Sequence, residues 1–90
     1  MKSYLVIYNL YRPNQDYPKI EEAIETQFQT SKRIMRATWV IKSRLDAGQI
    51  RSKLSQSIDS NDQIIIFELS GNAAWQGLED ETSQWVEDNL

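Results

Sequence analysis

Residues 3–10 read Ser-Tyr-Leu-Val-Ile-Tyr-Asn-Leu, and this stretch decides how the rest of the 90-residue chain is interpreted. Six of its eight residues are large and apolar or aromatic, and the β-branched pair Val6 and Ile7 favours an extended backbone. A strand that is apolar on both faces is typical of the interior of a sheet. The sequence therefore predicts a central strand over residues 3–10, followed by a turn at residues 11–14.

The end of this strand is the first candidate site. Asn9 is a small polar residue between Tyr8 and Leu10, at the rim of the predicted sheet, and Arg12 follows in the turn. Functional side chains collect on loops that a rigid scaffold positions, so Tyr8, Asn9 and Arg12 form one candidate site. The other interpretation is structural: Asn9 caps the following turn with its side chain.

Two helices are predicted between the strands. Pro18 suits a first helical position, and apolar residues at helical spacing extend that helix to about residue 29, after a loop over residues 11–17. Asp46 and Gln49 form a capping-box pattern, which predicts the start of the second helix.

The remaining apolar stretches predict strands. Residues 32–43 are interpreted as two short strands joined near Arg36 and Ala37, or as one strand with a bulge, since no Asn-Gly or Asp-Gly marks a hairpin turn. Residues 63–69 read Gln-Ile-Ile-Ile-Phe-Glu-Leu and predict the last strand.

The order strand, helix, strand, strand, helix, strand predicts an α+β fold of the ferredoxin-like βαββαβ type over residues 1–72. Its four-stranded antiparallel sheet is expected to carry both helices on one face, with the first and last strands as central neighbours. Residues 73–90 are expected to form an acidic C-terminal helical tail packed on the same domain.

The second face of this sheet suggests self-association. In residues 5–7 and 64–67, apolar residues occupy both the odd-numbered and the even-numbered positions, so both faces of the predicted sheet are apolar. Two helices on one side of the sheet cover only one of these faces. Burial of apolar surface is worth about 25 cal/mol per Å². We therefore expect the C-terminal tail, a second copy of the chain, or both to cover the other face. The predicted assembly is a homodimer through the sheet.

The composition excludes several kinds of site. The chain contains no cysteine and no histidine, which removes disulfides, thiol chemistry, the usual zinc ligands and every Ser-His or Cys-His nucleophile. Catalysis would rest on carboxylates, tyrosines, lysines or a hard metal ion, and Asp16 and Asp62 could form a metal pair if the fold brings them together. No stretch approaches the roughly 20 apolar residues of a membrane span, so a cytoplasmic protein without membrane contact is expected.

Charge is distributed unevenly along the chain. The net charge is −3, but bases cluster in residues 32–53 against the single acid Asp46, and every later charged residue is acidic. Lys32, Arg33 and Arg36 are candidate nucleic-acid contacts, because Lys and Arg neutralise phosphates. They equally suit a solvated strand edge, where charged side chains discourage edge-to-edge pairing.

Several of these features together resemble a known family. The strand ending in Tyr8-Asn9, residues 33–42, the capped second helix and residues 62–69 are similar to the CRISPR-associated Cas-two proteins and the virulence-associated protein D family. The Leu-Ser-Gly at residues 69–71, Trp75 and the acidic tail also resemble small uncharacterised bacterial proteins, some of them labelled SinR-like.

The resemblance implies a ferredoxin-like homodimer that is either a metal-dependent nuclease or a structural, DNA-contacting component. The family's metal-binding aspartate, directly after the aromatic residue that ends the first strand, corresponds to Asn9 here, and magnesium favours carboxylates. The predicted function is therefore that of a non-catalytic scaffold module, which takes part in interactions or associates with nucleic acid. No cofactor is expected, and the sequence does not identify the protein partner. The alternative is a magnesium-dependent endonuclease acting on RNA or DNA.

Overall fold

The computed structural model describes the backbone of residues 1–90 and the side chains of residues 1–12 and 17–90. Four strands and three helices follow one another along the chain: β1 (Lys2–Asn9), α1 (Pro13–Gln27), β2 (Ser31–Met35), β3 (Thr38–Ser43), α2 (Ala47–Ser55), β4 (Gln63–Glu68) and α3 (Asp80–Asn89). The strands form one antiparallel sheet in the order β2-β3-β1-β4. The predicted α+β class with a four-stranded antiparallel sheet is confirmed.

The first strand is central, as its two apolar faces predict. On one side Val6 of β1 is paired with Trp39 of β3, and on the other side it is paired with Ile66 of β4. The last strand is therefore a neighbour of the first, but the expectation that it is also central is wrong. Because β3 and β2 continue the sheet in the other direction, β4 is left at the edge.

One face of the sheet, the first face, packs against α1 and α2. The even-numbered residues of β1 point to this face, since side chains alternate along a strand. They share one buried cluster with apolar residues of both helices, which repeat at helical spacing. The cluster includes Tyr4, Val6, Tyr8, Trp39 and Ile41 of the sheet, Ile20 and Ile24 of α1, and Ile50 and Leu54 of α2.

The first helix begins earlier than predicted. It starts at Pro13, so residues expected in the loop are helical and Pro18 lies inside the helix. Both prolines suit a helix start, but Pro13 takes the first turn, where its missing N–H needs no partner. Pro18 follows within two turns, and without an N–H it cannot donate the helical hydrogen bond at its position.

The connection between β2 and β3 contains both of the features that the sequence predicts as alternatives, two short strands and an irregularity in the pairing. Two short strands are joined at Arg36 and Ala37, which confirms the first interpretation. Ala37 takes a φ of 57°, the left-handed conformation that glycine usually supplies in such turns. A register shift between Arg33 and Met35 adds an irregularity in β2.

The predicted cap of the second helix is confirmed in both directions. The Gln49 backbone N–H donates to Asp46 Oδ1 at 2.8 Å, and the Asp46 backbone N–H donates to Gln49 Oε1 at 2.9 Å. Two helix-end N–H groups that lack helical partners are thereby satisfied.

The opposite side of the sheet, the second face, is partly covered by α3. Val86 of α3 is buried, and the Ser3 hydroxyl donates to the Asn89 carbonyl at 2.9 Å. Lys32 of β2 lies 3.7 Å from Glu81 near the start of the helix. Residues 73–79 lead into α3 without regular secondary structure, and the Trp75 indole N–H donates to Ser83 Oγ at 2.8 Å. Within the described part of the chain, none of the helices has the length and hydrophobicity needed to cross a bilayer.

Candidate functional site

Tyr8, the first residue of the strand-end site, belongs to the core. Its side chain is only 3% exposed, and its hydroxyl oxygen accepts a hydrogen bond from the Trp39 indole N–H at 3.0 Å. The Tyr17 ring meets the Tyr8 ring edge-on, with 5.6 Å between the ring centroids. Tyr8 therefore holds α1 and β3 together on the first face.

The environment of Tyr8 keeps its phenol neutral. Burial raises the pKa of Tyr8 above its ordinary value of 10.0, and the hydrogen bond from Trp39 opposes that rise without cancelling it. A phenol with a raised pKa is protonated at neutral pH, so it is a poor general base. Its contacts are those of a structural residue.

Asn9 lies at the exposed end of β1 and contacts the neighbouring strand. Its side-chain N–H donates to Gln63 Oε1 at 3.3 Å, and the two residues are paired in the β1–β4 register. The amide therefore makes a cross-strand contact to β4. The sequence gives no signal for Gln63 beyond its position at the start of an apolar strand.

Arg12 joins the start of α1 to the turn before β4. Its guanidinium lies 2.9 Å from Asp59 Oδ2. In the same turn, the Asp62 carboxylate accepts hydrogen bonds from the backbone N–H groups of Tyr11 and Asp59, each at 2.7 Å. The segment that follows β1 is thus held to the turn between α2 and β4 by the carboxylates of Asp59 and Asp62. The Asp-x-x-Asp spacing could have suggested this role.

Among the described side chains at this end of the sheet, the carboxylates that could bind a metal already have other partners. Both oxygens of Asp62 already accept backbone N–H groups, and Asp59 pairs with Arg12. Asp16, the other member of the metal pair considered from the sequence, lies outside the described side chains. Among the side chains that are described, no three His, Cys, Asp or Glu residues converge in the manner of a metal site.

The three candidate phosphate contacts do not form one patch. Lys32 is paired with Val40 and Arg33 with Trp39 in the β2–β3 register, so their side chains leave opposite faces of the sheet. Lys32 forms an ion pair with Glu81, and Arg33 lies 3.0 Å from Glu21 of α1. The Arg36 guanidinium lies 5.6 Å from the centre of the Tyr17 ring, in cation–π geometry.

The outer edge of β2 lies in an open groove with mixed charge. One wall comes from α1, with Tyr17, Glu21 and Glu25, and the other from residues 76–79 before α3. Acids and bases are interleaved along this groove, so the surface has no single sign of charge that would attract a polyanion.

The second face carries the apolar surface that the sequence predicted would need a cover. Four side chains of β1 and β4 on this face lie beyond helix α3: Leu5, Ile7, Ile65 and Phe67. We call these four residues the open strip. Ile65 is 46% exposed and Phe67 is 51% exposed, while Leu5 and Ile7 are half-buried. Large apolar side chains that adjoin one another on a surface are typical of interaction sites.

Comparison with protein-family models and with curated proteins finds no match for this chain.

Proposed function

We propose that this chain is a non-catalytic interaction module with a ferredoxin-like fold that works as a homodimer, similar in build to the Cas-two family. The element order βαββαβ and the strand order β2-β3-β1-β4 support that fold assignment. The additional helix α3, on the face that α1 and α2 leave open, is what distinguishes this chain within the proposed fold.

The open strip is the observation on which the proposal rests. Fully burying an exposed Ile or Phe side chain is worth about 1.5–3 kcal/mol. Because Ile65 and Phe67 are already about half-buried, the two residues from each of two copies would contribute at most roughly 3–6 kcal/mol before the cost of association, the gain expected if all four became fully buried. A contribution of that size supports a dimer that dissociates on dilution.

The chemistry at the end of β1 supports the non-catalytic part of the proposal. Asn9 offers a neutral amide where the family carries a carboxylate, and Tyr8 is a neutral, buried phenol. The magnesium-dependent endonuclease remains the alternative, but Asp59 and Asp62 are held by Arg12 and by backbone N–H groups. Those contacts favour a structural role for both acids.

Nucleic acid as a partner has weaker support than a second copy of the chain. Lys32 and Arg33 would each have to exchange a glutamate for a phosphate, and Arg36 would have to leave the Tyr17 ring. We therefore expect any retention of RNA or DNA to be weak and to disappear as salt is raised.

Sedimentation of the purified chain over a wide range of concentration tests the proposal. We expect a monomer–dimer equilibrium that Phe67→Ser weakens at least tenfold, because each copy loses a half-exposed ring from the interface. Tyr11→Ser is the matched control: Tyr11 is 74% exposed but lies outside the open strip, so dimerisation should not change. A chain that stays monomeric at every concentration would contradict self-association.

Incubation of the same protein with single- and double-stranded RNA and DNA tests the absence of catalysis. We expect intact substrate in magnesium and in chelator alike. Magnesium-dependent cleavage that Asp62→Ala abolishes, with the fold retained, would make the chain an enzyme.

A further inference from the structure

The two edges of the sheet differ in how they are protected from pairing. The outer edge of β2 carries Lys32 and Arg33, its register is irregular, and the groove walls of α1 and residues 76–79 flank it. Charged side chains, irregular register and covering elements are the means by which proteins prevent edge strands from pairing with other chains.

The outer edge of β4 is less protected among the described residues, because its register is regular and its one charged residue, Glu68, lies at its end. Its six residues pair with β1 in an unbroken register from Gln63 to Glu68, and the four between them are apolar. In the part of the chain that the structure describes, no hydrogen bond reaches the outer backbone groups of Ile64 and Ile66. An apolar edge strand with unpaired backbone groups is a template for strand addition.

The register identifies which backbone groups of β4 point outward. The Leu69 N–H donates to the Ser3 carbonyl at 2.8 Å, so Ser3 and Leu69 form a hydrogen-bonded pair at the end of β1. Hydrogen-bonded and non-hydrogen-bonded pairs alternate along antiparallel strands. The odd-numbered residues of β4 therefore turn their N–H and C=O groups toward β1, and Ile64, Ile66 and Glu68 turn theirs outward.

We propose that β4 pairs antiparallel with β4 of a second copy, with Ile66 on the two-fold axis, so that both sheets become one. This proposal rests on the self-association proposed above and specifies its geometry. Ile66 then faces Ile66 of the other copy, and Ile64 faces Glu68, so each of these pairs can exchange both backbone hydrogen bonds. On the second face, Ile65 lies directly opposite Phe67, an aromatic and β-branched pair of the kind that stabilises sheets.

A second copy fits this edge because the strand is complementary to itself. Around Ile66 no charge meets a like charge, since Glu68 faces Ile64. If two copies of β2 were paired in the same way, with Lys32 or Arg33 on the two-fold axis, two like charges would lie opposite each other, which destabilises a pair. The exposed fractions of the side chains also favour pairing at β4. Within the open strip, the two residues that belong to β4, Ile65 and Phe67, are the most exposed.

Amide hydrogen exchange of the unmodified protein, measured as a function of its concentration, tests this geometry. We expect the amides of Ile64, Ile66 and Glu68 to exchange at least tenfold more slowly in the dimer than in the monomer. The amides of Ser31 and Arg33, which occupy the outward positions of β2, are the internal control and should not change between the two states.

Cysteine cross-linking gives an independent readout, because the natural chain contains no cysteine. Ile66→Cys should form a disulfide-linked dimer under mild oxidation, since the paired Cα atoms would lie about 5.5 Å apart, within the range that a disulfide spans. Ser31→Cys on the other edge should not.

The outcomes separate the two proposals. A dimer without slowed exchange at β4 would overturn edge pairing and leave self-association standing, as expected of two sheets packed face to face. Absence of a dimer would overturn both. Exchange that slows only when another protein is added would assign the edge to a different partner.

Discussion

Replacing Tyr8 by phenylalanine removes one oxygen atom from the core and leaves the ring in place. In the native chain that oxygen accepts the Trp39 indole N–H at 3.0 Å, and the two residues are 3% and 4% exposed. The variant therefore leaves a buried donor without its partner, which costs about 1–3 kcal/mol. For a small domain with a urea m-value of about 2 kcal/mol per M, the unfolding midpoint should fall by about 1 M.

Urea unfolding followed by tryptophan fluorescence and far-UV circular dichroism measures this change. All samples need the same protein concentration, because self-association would add to the apparent stability. Tyr17→Phe is the matched control: it keeps the ring that contacts Tyr8 and Arg36, and we expect its stability within about 0.5 kcal/mol of the natural chain. If Tyr8→Phe is no less stable than Tyr17→Phe, the assignment of Tyr8 to the structural core is wrong.

Two further predictions concern the second helix and alkaline pH. Asp46→Ala should lower the free energy of unfolding by about 1 kcal/mol in urea denaturation, whereas Asp46→Asn, which keeps a side-chain acceptor for the Gln49 N–H, should stay close to the natural chain. Because the pKa of Tyr8 is raised in the folded chain, the unfolded chain releases this proton first. Stability should therefore decline as pH rises past 10.0, more steeply in the natural chain than in Tyr8→Phe, and equal slopes would contradict the raised pKa.

Local patterns in the sequence predicted the elements that depend on neighbouring residues. The capping box of Asp46 and Gln49 predicted the start of α2, and the apolar residues of β1 predicted a strand with neighbours on both sides. The helix start at Pro13 could not be predicted in this way, because Pro13 and Pro18 carry the same local signal.

The candidate sites depended on contacts between residues far apart in the chain. The sequence brought Tyr8, Asn9 and Arg12 together as one site, but Tyr8 faces Trp39, Asn9 faces Gln63, and Arg12 faces Asp59. Alternation along a strand sends adjacent side chains to opposite faces, so nearness in sequence does not make a shared site. The same alternation separates Lys32 from Arg33.

The sequence by itself determined that the sheet has two apolar faces and that two helices cannot cover both. Only the tertiary structure decided which part stays open, because α3 takes its place through Val86, the Ser3–Asn89 hydrogen bond and the Lys32–Glu81 pair. The strand order then leaves β4 at the edge, with Ile65 and Phe67 exposed. Hydrophobic composition fixes how much surface must be buried, whereas strand order and helix docking fix where the remainder lies.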